Sequence, residues 1–169
     1  MPLPTRHSSF PLDFSLLSFL VVDDQPFSRR LVRSMLVGYG SREVYESANG
    51  VEALELARHA KPSIIITDLV MPLFDGLRFI TMVREAQSPA HVTPIIVLSG
   101  YLTKPTALAV RSSGVDELLV KPVSPKVLYD HIVRIVMRND PATQQAAFVQ
   151  NQKLRTEQRR KKADDLALL

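Results

Sequence analysis

The 169-residue sequence contains no cysteine. This absence excludes a disulfide framework, a thiolate metal site and a cysteine nucleophile. Long apolar runs are also missing, because no stretch approaches the roughly 20 residues that a membrane-spanning helix requires. The first 13 residues contain three prolines and no apolar stretch, which argues against a secretory signal. We therefore expect a cytoplasmic protein that does not insert into a membrane.

Composition and charge predict one folded domain with a basic end. Apolar residues make up 46% of the chain and charged residues 22%, which allows a full hydrophobic core. Residues 1–138 carry fifteen Lys and Arg against thirteen Asp and Glu, and residues 139–169 carry six against four, so each part contributes +2 to the net charge of +4. We expect a poorly ordered leader at 1–15, the folded domain at 16–138, and a basic, partly helical or disordered tail at 139–169.

Five short runs of residues predict the strands of a parallel sheet. Four runs, at 19–22, 64–67, 94–98 and 117–120, are near-continuous aliphatic segments, which is typical of strands covered on both faces. A weaker run lies at 43–47. A helical pattern follows each run, and the fourth, at 107–111, is short. Right-handed crossovers make this order a doubly wound α/β sheet of five strands.

Polar residues follow four of the predicted strands at their carboxyl ends. Asp23 and Asp24 follow the first strand, Asp68 the third, Ser99 the fourth and Lys121 the fifth. Doubly wound sheets bind their ligands outside these strand ends, near the point where the strand order reverses. Three carboxylates at one edge repel each other unless a cation lies among them. The cluster therefore has the parts needed to hold Mg²⁺ and a phosphoryl group.

Four segments resemble the receiver domain of two-component response regulators in their order and spacing. They are VVDD at 21–24, TDLVMPLFDG at 67–76, LSG at 98–100 and VKP at 120–122. The resemblance covers residues 16–138 and implies a flavodoxin-like (βα)5 fold, here with a basic C-terminal extension. No Gly-rich loop follows the first predicted strand, so a dinucleotide site or a P-loop lacks its essential feature.

The resemblance implies a role for each acidic residue of the cluster. Asp68 is the phosphoacceptor, and its carboxylate attacks the phosphorus of a phosphohistidine on a partner. Asp24, Asp68 and the main-chain carbonyl of Val70 ligate Mg²⁺. Asp23 acts on the ion directly or through water.

The resemblance also assigns the residues that meet the phosphoryl oxygens. Lys121 pairs first with the carboxylates and then with a phosphoryl oxygen, through a cis peptide to Pro122, and Ser99 hydrogen-bonds another oxygen. The family's switch aromatic on the fifth strand is replaced here by Leu118, which offers neither a ring nor a hydroxyl. Two alternatives stay open: Tyr101 moves in its place, or Leu118 is a fixed packing contact.

The resemblance implies a single-domain response regulator that signals through phosphorylation-dependent protein binding. Its only enzyme-like acts are self-phosphorylation from phosphohistidine and slow self-dephosphorylation. A phosphorylation-independent scaffold or adaptor is the first alternative, and Leu118 suggests it. An Mg²⁺-dependent phosphohydrolase is disfavoured, because that chemistry wants an acid two residues after Asp68, where Val70 stands.

The predicted partners are proteins. A histidine kinase or histidine phosphotransfer protein is expected to dock on the first helix, which Arg29, Arg30 and Arg33 make basic. A downstream target is expected on the face formed by the fourth helix, the fifth strand and the fifth helix. The basic tail is interpreted as a solvated extension, and a contact with nucleic acid through it is the alternative that is not favoured.

Overall fold

The computed structural model describes residues 12–72 and 74–139. The basic tail beyond 139 and most of the leader lie outside the described residues, so the boundaries 1–15, 16–138 and 139–169 stay predictions. The larger compact unit is Asp13–His131, and the described part of the second unit is Leu12 and residues 132–139. Residues 132–139 are the end of the last helix, in which Ile132 and Ile135 are buried.

Strands and helices alternate along the described chain, as the apolar runs predict. A short 3-10 helix, Phe14–Leu16, comes first. The strands are β1 (Ser18–Val22), β2 (Glu43–Ser47), β3 (Ile64–Asp68), β4 (Ile95–Ser99) and β5 (Glu117–Val120). The helices are α1 (Pro26–Tyr39), α2 (Gly50–Ala60), α3 (Gly76–Arg84), α4 (Lys104–Ser112) and α5 (Pro125–Asn139). None of the helices in these described ranges is both long and apolar enough to cross a membrane.

Side-chain caps explain where three of the helices begin. The side chains of Asn49, Asp75 and Thr103 each accept a hydrogen bond from the backbone N–H three residues later, at the starts of α2, α3 and α4. Helix α1 begins at Pro26, whose fixed φ suits the first helical position. The cap at Thr103 makes α4 begin three residues before the predicted 107, because Pro105 is tolerated in a first turn.

All the strands of the sheet are parallel, in the order β2-β1-β3-β4-β5. The prediction of a doubly wound, five-stranded parallel sheet is therefore confirmed. The register pairs Val22 with Thr67 and Asp68 with Leu98, and β5 ends beside β4. These four strands thus end at one edge, and the strand order reverses between β1 and β3, where such sheets bind ligands.

The central strands are covered on both faces, which accounts for their lack of alternation. Every residue of β3 and β4 is buried. Successive side chains of a strand point to opposite faces. On one face, Leu20 and Ile65 belong to a hydrophobic cluster with Ala53 of α2, Phe79 of α3 and Val110 of α4. This cluster is the core beneath the loops that carry the polar residues.

Four aromatic rings pack on the opposite face of β1. The ring of Phe14 stacks on those of Phe19 and Tyr129, at centroid distances of 6.2 and 5.3 Å, and meets Tyr39 edge-on at 5.2 Å. The Tyr39 hydroxyl donates to the main-chain carbonyl of Pro125. Phe14 falls within the predicted leader, yet only 1% of it is exposed. Phe14, in the segment before β1, is therefore packed against α1 and α5.

Candidate functional site

The carboxyl edge of the sheet carries all five polar residues that the sequence analysis selected. Asp23 and Asp24 follow β1 directly, Asp68 and Ser99 end β3 and β4, and Lys121 follows β5. One oxygen from each aspartate lies within 4.8 Å of the other two. Asp23, Asp68 and Ser99 are buried. The structure therefore brings the three carboxylates and the ammonium together, while their functional roles stay predictions.

Lys121 is the cation among the carboxylates. Its Nζ donates to Asp23 Oδ2 at 2.7 Å and to Asp68 Oδ2 at 3.0 Å. Burial alone would lower the pKa of Lys121, but the hydrogen bonds and charges of Asp23 and Asp68 outweigh burial and raise this pKa. Lys121 is therefore charged at neutral pH and offsets part of the repulsion. The Lys121–Pro122 peptide bond is cis, as the resemblance implies.

The first turn of α1 holds Asp23. Asp23 Oδ1 accepts a hydrogen bond from the backbone N–H of Gln25 at 2.9 Å, and Oδ2 accepts one from the Ser28 hydroxyl at 2.5 Å. The Arg29 guanidinium donates to the Asp23 main-chain carbonyl at 2.6 Å. Ser28 is not among the site residues predicted from the sequence. The available signal was a hydroxyl in the first turn of a helix that follows an acidic strand end.

Asp68 is held by the loop after β3. Its Oδ1 accepts hydrogen bonds from the backbone N–H groups of Leu69 at 2.6 Å and Val70 at 3.2 Å. Gly76, at the start of α3, approaches the same residue so closely that a Cβ at position 76 would lie 2.2 Å from the Asp68 carbonyl oxygen. The Gly76 N–H donates to the Leu69 carbonyl at 2.9 Å. Only glycine allows α3 to begin directly behind Asp68.

The surroundings of the Asp24 carboxylate show whether the cluster suits a divalent cation. Its Oδ2 accepts a hydrogen bond from the Gln25 side chain at 3.2 Å. Its Oδ1 is buried and has no hydrogen-bond partner among the described residues. A buried carboxylate oxygen without a donor is costly unless a cation meets it. Because Mg²⁺ prefers carboxylate and carbonyl oxygens, this donor set fits the predicted ion.

The three residues assigned to the switch, Ser99, Tyr101 and Leu118, make the following contacts with other parts of the domain. The Ser99 hydroxyl donates to the Tyr101 carbonyl at 2.9 Å, and the Tyr101 N–H donates back to Ser99 Oγ at 3.4 Å. Tyr101 is 74% exposed. Leu118 is partly buried and packs against the hydrophobic core cluster. Leu118, which stands where the family has an aromatic residue, is thus a packing contact, while the Tyr101 side chain is exposed to solvent.

Two of the three arginines predicted to make α1 basic are used within the domain. Arg29 Nε lies 3.5 Å from Glu46 Oε1, and Arg33 Nε lies 3.6 Å from Glu46 Oε2. Arg29 also donates a hydrogen bond to the Asp23 main-chain carbonyl. Arg30 is exposed on the same helix. The positive charge that α1 can offer to another protein is therefore smaller than its sequence indicates.

Comparison with known proteins identifies the group to which this architecture is similar. The chain matches the family described as the response regulator receiver domain over residues 19–133. It is similar to the transcriptional regulatory protein SrrA of Staphylococcus aureus, with 34% identity over 124 residues. That alignment covers 73% of this chain and 49% of SrrA. The chain thus spans about half the length of the curated relatives it matches.

Solved structures with the same fold include short chains. The chemotaxis protein CheY4 of Vibrio cholerae is 34% identical, with a TM-score of 0.65, over 70% of this chain and 97% of that one. A putative response regulator from Chloroflexus aurantiacus is 27% identical, with a TM-score of 0.62, over 70% of this chain and 93% of that one. Both alignments cover more than nine-tenths of the solved chain.

Proposed function

This chain belongs to the response regulator receiver domain family, and from that premise we propose that Asp68 accepts a phosphoryl group from a phosphohistidine of a histidine kinase or phosphotransfer protein. The observation that carries the proposal is the contact of Lys121 with both Asp23 and Asp68, beside an Asp24 oxygen that is buried without a donor. A purely structural ion pair would not require the third carboxylate at this point.

The proposed transfer exchanges one bond for another. An Asp68 carboxylate oxygen bonds to phosphorus as the bond from phosphorus to the histidine nitrogen breaks. Lys121 then moves its hydrogen bond from Asp68 to a phosphoryl oxygen, and Ser99 leaves the Tyr101 carbonyl to donate to another. Phosphoryl transfer depends mainly on positioning and on cancellation of charge, and these residues supply both.

Mg²⁺ is the proposed cofactor. Asp24, Asp68 and the Val70 carbonyl would hold it, with Asp23 acting directly or through water. When bound, the ion supplies positive charge against the phosphoryl oxygens. The Val70 N–H already hydrogen-bonds Asp68, so its main chain lies beside the carboxylate.

The proposed output is a change in protein binding by a single-domain, cytoplasmic regulator. The chain turns over no separate substrate, and its own acyl phosphate hydrolyses slowly. The partner face is proposed to be α4, β5 and α5, with α1 receiving the phosphoryl donor. A nucleic-acid contact through the tail, which lies outside the described residues, is not favoured.

A phosphorylation-independent scaffold is the second candidate. The packing of Leu118 against the core favours it, because a fixed leucine cannot relay a movement of Ser99 as a rotating ring would. In that case Asp68 would take no phosphoryl group. The same experiment separates the two candidates.

The test is phosphorylation by acetyl phosphate with Mg²⁺, followed by intact-mass and peptide mass spectrometry. We expect one phosphoryl group on wild-type protein at Asp68 and none on Asp68→Asn. Asp130→Asn, which removes a carboxylate from the surface of α5, is the matched control and should be labelled like wild type. No label on the wild type, or a label at another residue, would refute the assignment of Asp68 and leave the scaffold.

A further inference from the structure

Asp23 is fastened to α1 through its carboxylate as well as its main chain. The Ser28 hydroxyl donates to Asp23 Oδ2 at 2.5 Å, and Lys121 donates to the same oxygen at 2.7 Å. The Gln25 N–H takes the other oxygen at 2.9 Å. Both oxygens of this buried carboxylate are therefore directed by donors that come from two different parts of the chain.

These donors restrict how the Asp23 carboxylate can turn. Lys121 is also bound to Asp68 and has a long, flexible side chain. If Lys121 were the only donor, the Asp23 carboxylate could turn as the lysine side chain moved. The Ser28 hydroxyl comes from the first turn of a 14-residue helix, which is a rigid base. Asp23 is 3% exposed, so water cannot replace a lost donor without entering the cluster. Ser28 and the Gln25 N–H thus fix the orientation of the Asp23 carboxylate together, and Ser28 is the one of these two donors that a side-chain substitution can remove.

We propose that Ser28 is a positioning residue for the divalent cation: its hydroxyl holds the Asp23 carboxylate in the orientation from which Asp23 helps bind Mg²⁺. This inference rests on the proposed function, because it concerns the same metal site. Donors behind a metal-ligating carboxylate orient it, and their loss typically lowers metal affinity by about 10- to 100-fold. A serine that only started the helix would have no such effect on affinity.

Mg²⁺ affinity without any phosphoryl donor is the decisive measurement. Isothermal titration calorimetry of wild type, Ser28→Ala, Ser28→Thr and Ser34→Ala compares loss of the hydroxyl, its retention, and loss of a hydroxyl from an exposed position of the same helix. We expect Ser28→Ala to weaken Mg²⁺ binding by about tenfold. Ser28→Thr should keep most of the affinity, and Ser34→Ala should bind like wild type.

Unfolding by urea in EDTA distinguishes positioning from a structural role. If Ser28→Ala lowers stability without metal but binds Mg²⁺ as tightly as wild type, the inference is wrong. It is equally wrong if Ser28→Thr loses as much affinity as Ser28→Ala, because the hydroxyl would then not be the cause. Weaker binding in Ser28→Ala with affinity kept in Ser28→Thr supports it.

Labelling by acetyl phosphate at saturating Mg²⁺ separates this inference from the proposed function. Ser28→Ala should still be labelled at Asp68 when enough Mg²⁺ is present. Label on every Ser28 variant with unchanged Mg²⁺ affinity overturns the role of Ser28 and leaves the phosphoacceptor in place. Absence of label on the wild type overturns the proposed function whatever the Ser28 variants do.

Discussion

The Tyr39 hydroxyl is a phenol held inside an aromatic cluster. Burial raises the pKa of Tyr39 to about 12, the charge of Asp130 adds to this, and a hydrogen bond with the backbone of Tyr129 opposes it. The unfolded phenol has a pKa near 10. Between these values the unfolded chain releases a proton that the folded chain keeps. The stability linked to Tyr39 is therefore present below about pH 10 and is lost as the pH rises toward 12.

We expect Tyr39→Phe to flatten the alkaline loss of stability. Phenylalanine cannot titrate, so the melting temperature of the variant should fall less than that of wild type between pH 10 and 12, the interval set by the two pKa values. Circular dichroism melts across this interval measure the difference. Tyr101→Phe, at a 74% exposed position, is the control and should follow wild type. Parallel curves for Tyr39→Phe and wild type would contradict the prediction.

The identities of the clustered side chains could be predicted, but not all of their partners. Asp23, Asp68 and Lys121 stand where apolar runs stop, and parallel strands end at one edge, so their meeting follows from the pattern. The contact of Ser28 with Asp23 depends on the angle at which α1 leaves β1 and on two rotamers. The hydrophobic pattern of the sequence does not predict that angle.

Helix α2 and the loop after β3 interlock through Gly50 and Phe74. A Cβ at position 50 would lie 1.9 Å from Phe74 Cδ1, so the ring occupies the space that glycine leaves open. The Arg78 guanidinium lies over the same ring, 5.2 Å from its centroid. This contact ties the loop that carries the Asp68 neighbours to the start of α2.

We expect the effect of Gly50→Ala to change sign with the residue at 74. In the wild-type background the new methyl displaces the ring and should lower the free energy of unfolding by about 1–3 kcal/mol. In a Phe74→Ala background the clash is gone, and loss of the glycine's freedom in the unfolded chain should stabilise by about 0.4–1 kcal/mol. Urea unfolding of the four proteins gives the coupling. Equal effects in both backgrounds would show that Phe74 does not fill this space.

The 3-10 helix before β1 contributes a core residue. We expect Phe14→Ala to lower the free energy of unfolding by about 3–5 kcal/mol, because it empties the centre of the aromatic cluster. Leu16→Ala, two residues away and 80% exposed, is the matched control and should cost less than about 0.5 kcal/mol. Chemical denaturation measures both. Similar losses for the two variants would mean that the cluster does not stabilise the fold.

The elements were predicted to different extents. Strands β3 and β4 followed from aliphatic runs that are short for a helix and typical of strands buried on both faces. Helix α4 was predicted to begin too late, because its first turn is polar and contains Pro105. Phe14 was assigned to a leader because a lone aromatic among prolines and serines has no period, and its neighbours, Tyr39 and Tyr129, are distant in sequence.

For the domain as a unit, Mg²⁺ should act as a stabilising ligand. An ion that binds only the folded chain adds about 2.7 kcal/mol to the free energy of unfolding when its concentration is a hundred times Kd. We expect this gain in wild type and its near loss in Asp24→Asn, whose buried Oδ1 has no donor. Asp130→Asn should keep the gain. Urea titrations in Mg²⁺ and in EDTA measure it, and an equal gain in Asp24→Asn would exclude Asp24 as a ligand.

Because all the strands are parallel, the connections at the carboxyl ends of the strands differ in function from those at the amino ends. Every connection that leaves a strand lies at the edge with the carboxylates, while the connections at 61–63, 85–94 and 113–116 enter strands at the other edge. None of the proposed reactive groups lies in those three connections, and residues 85–87 are exposed. Residues 85–87 are therefore the place where the chain could be opened, lengthened or fused to a fluorescent reporter at a distance from its chemistry.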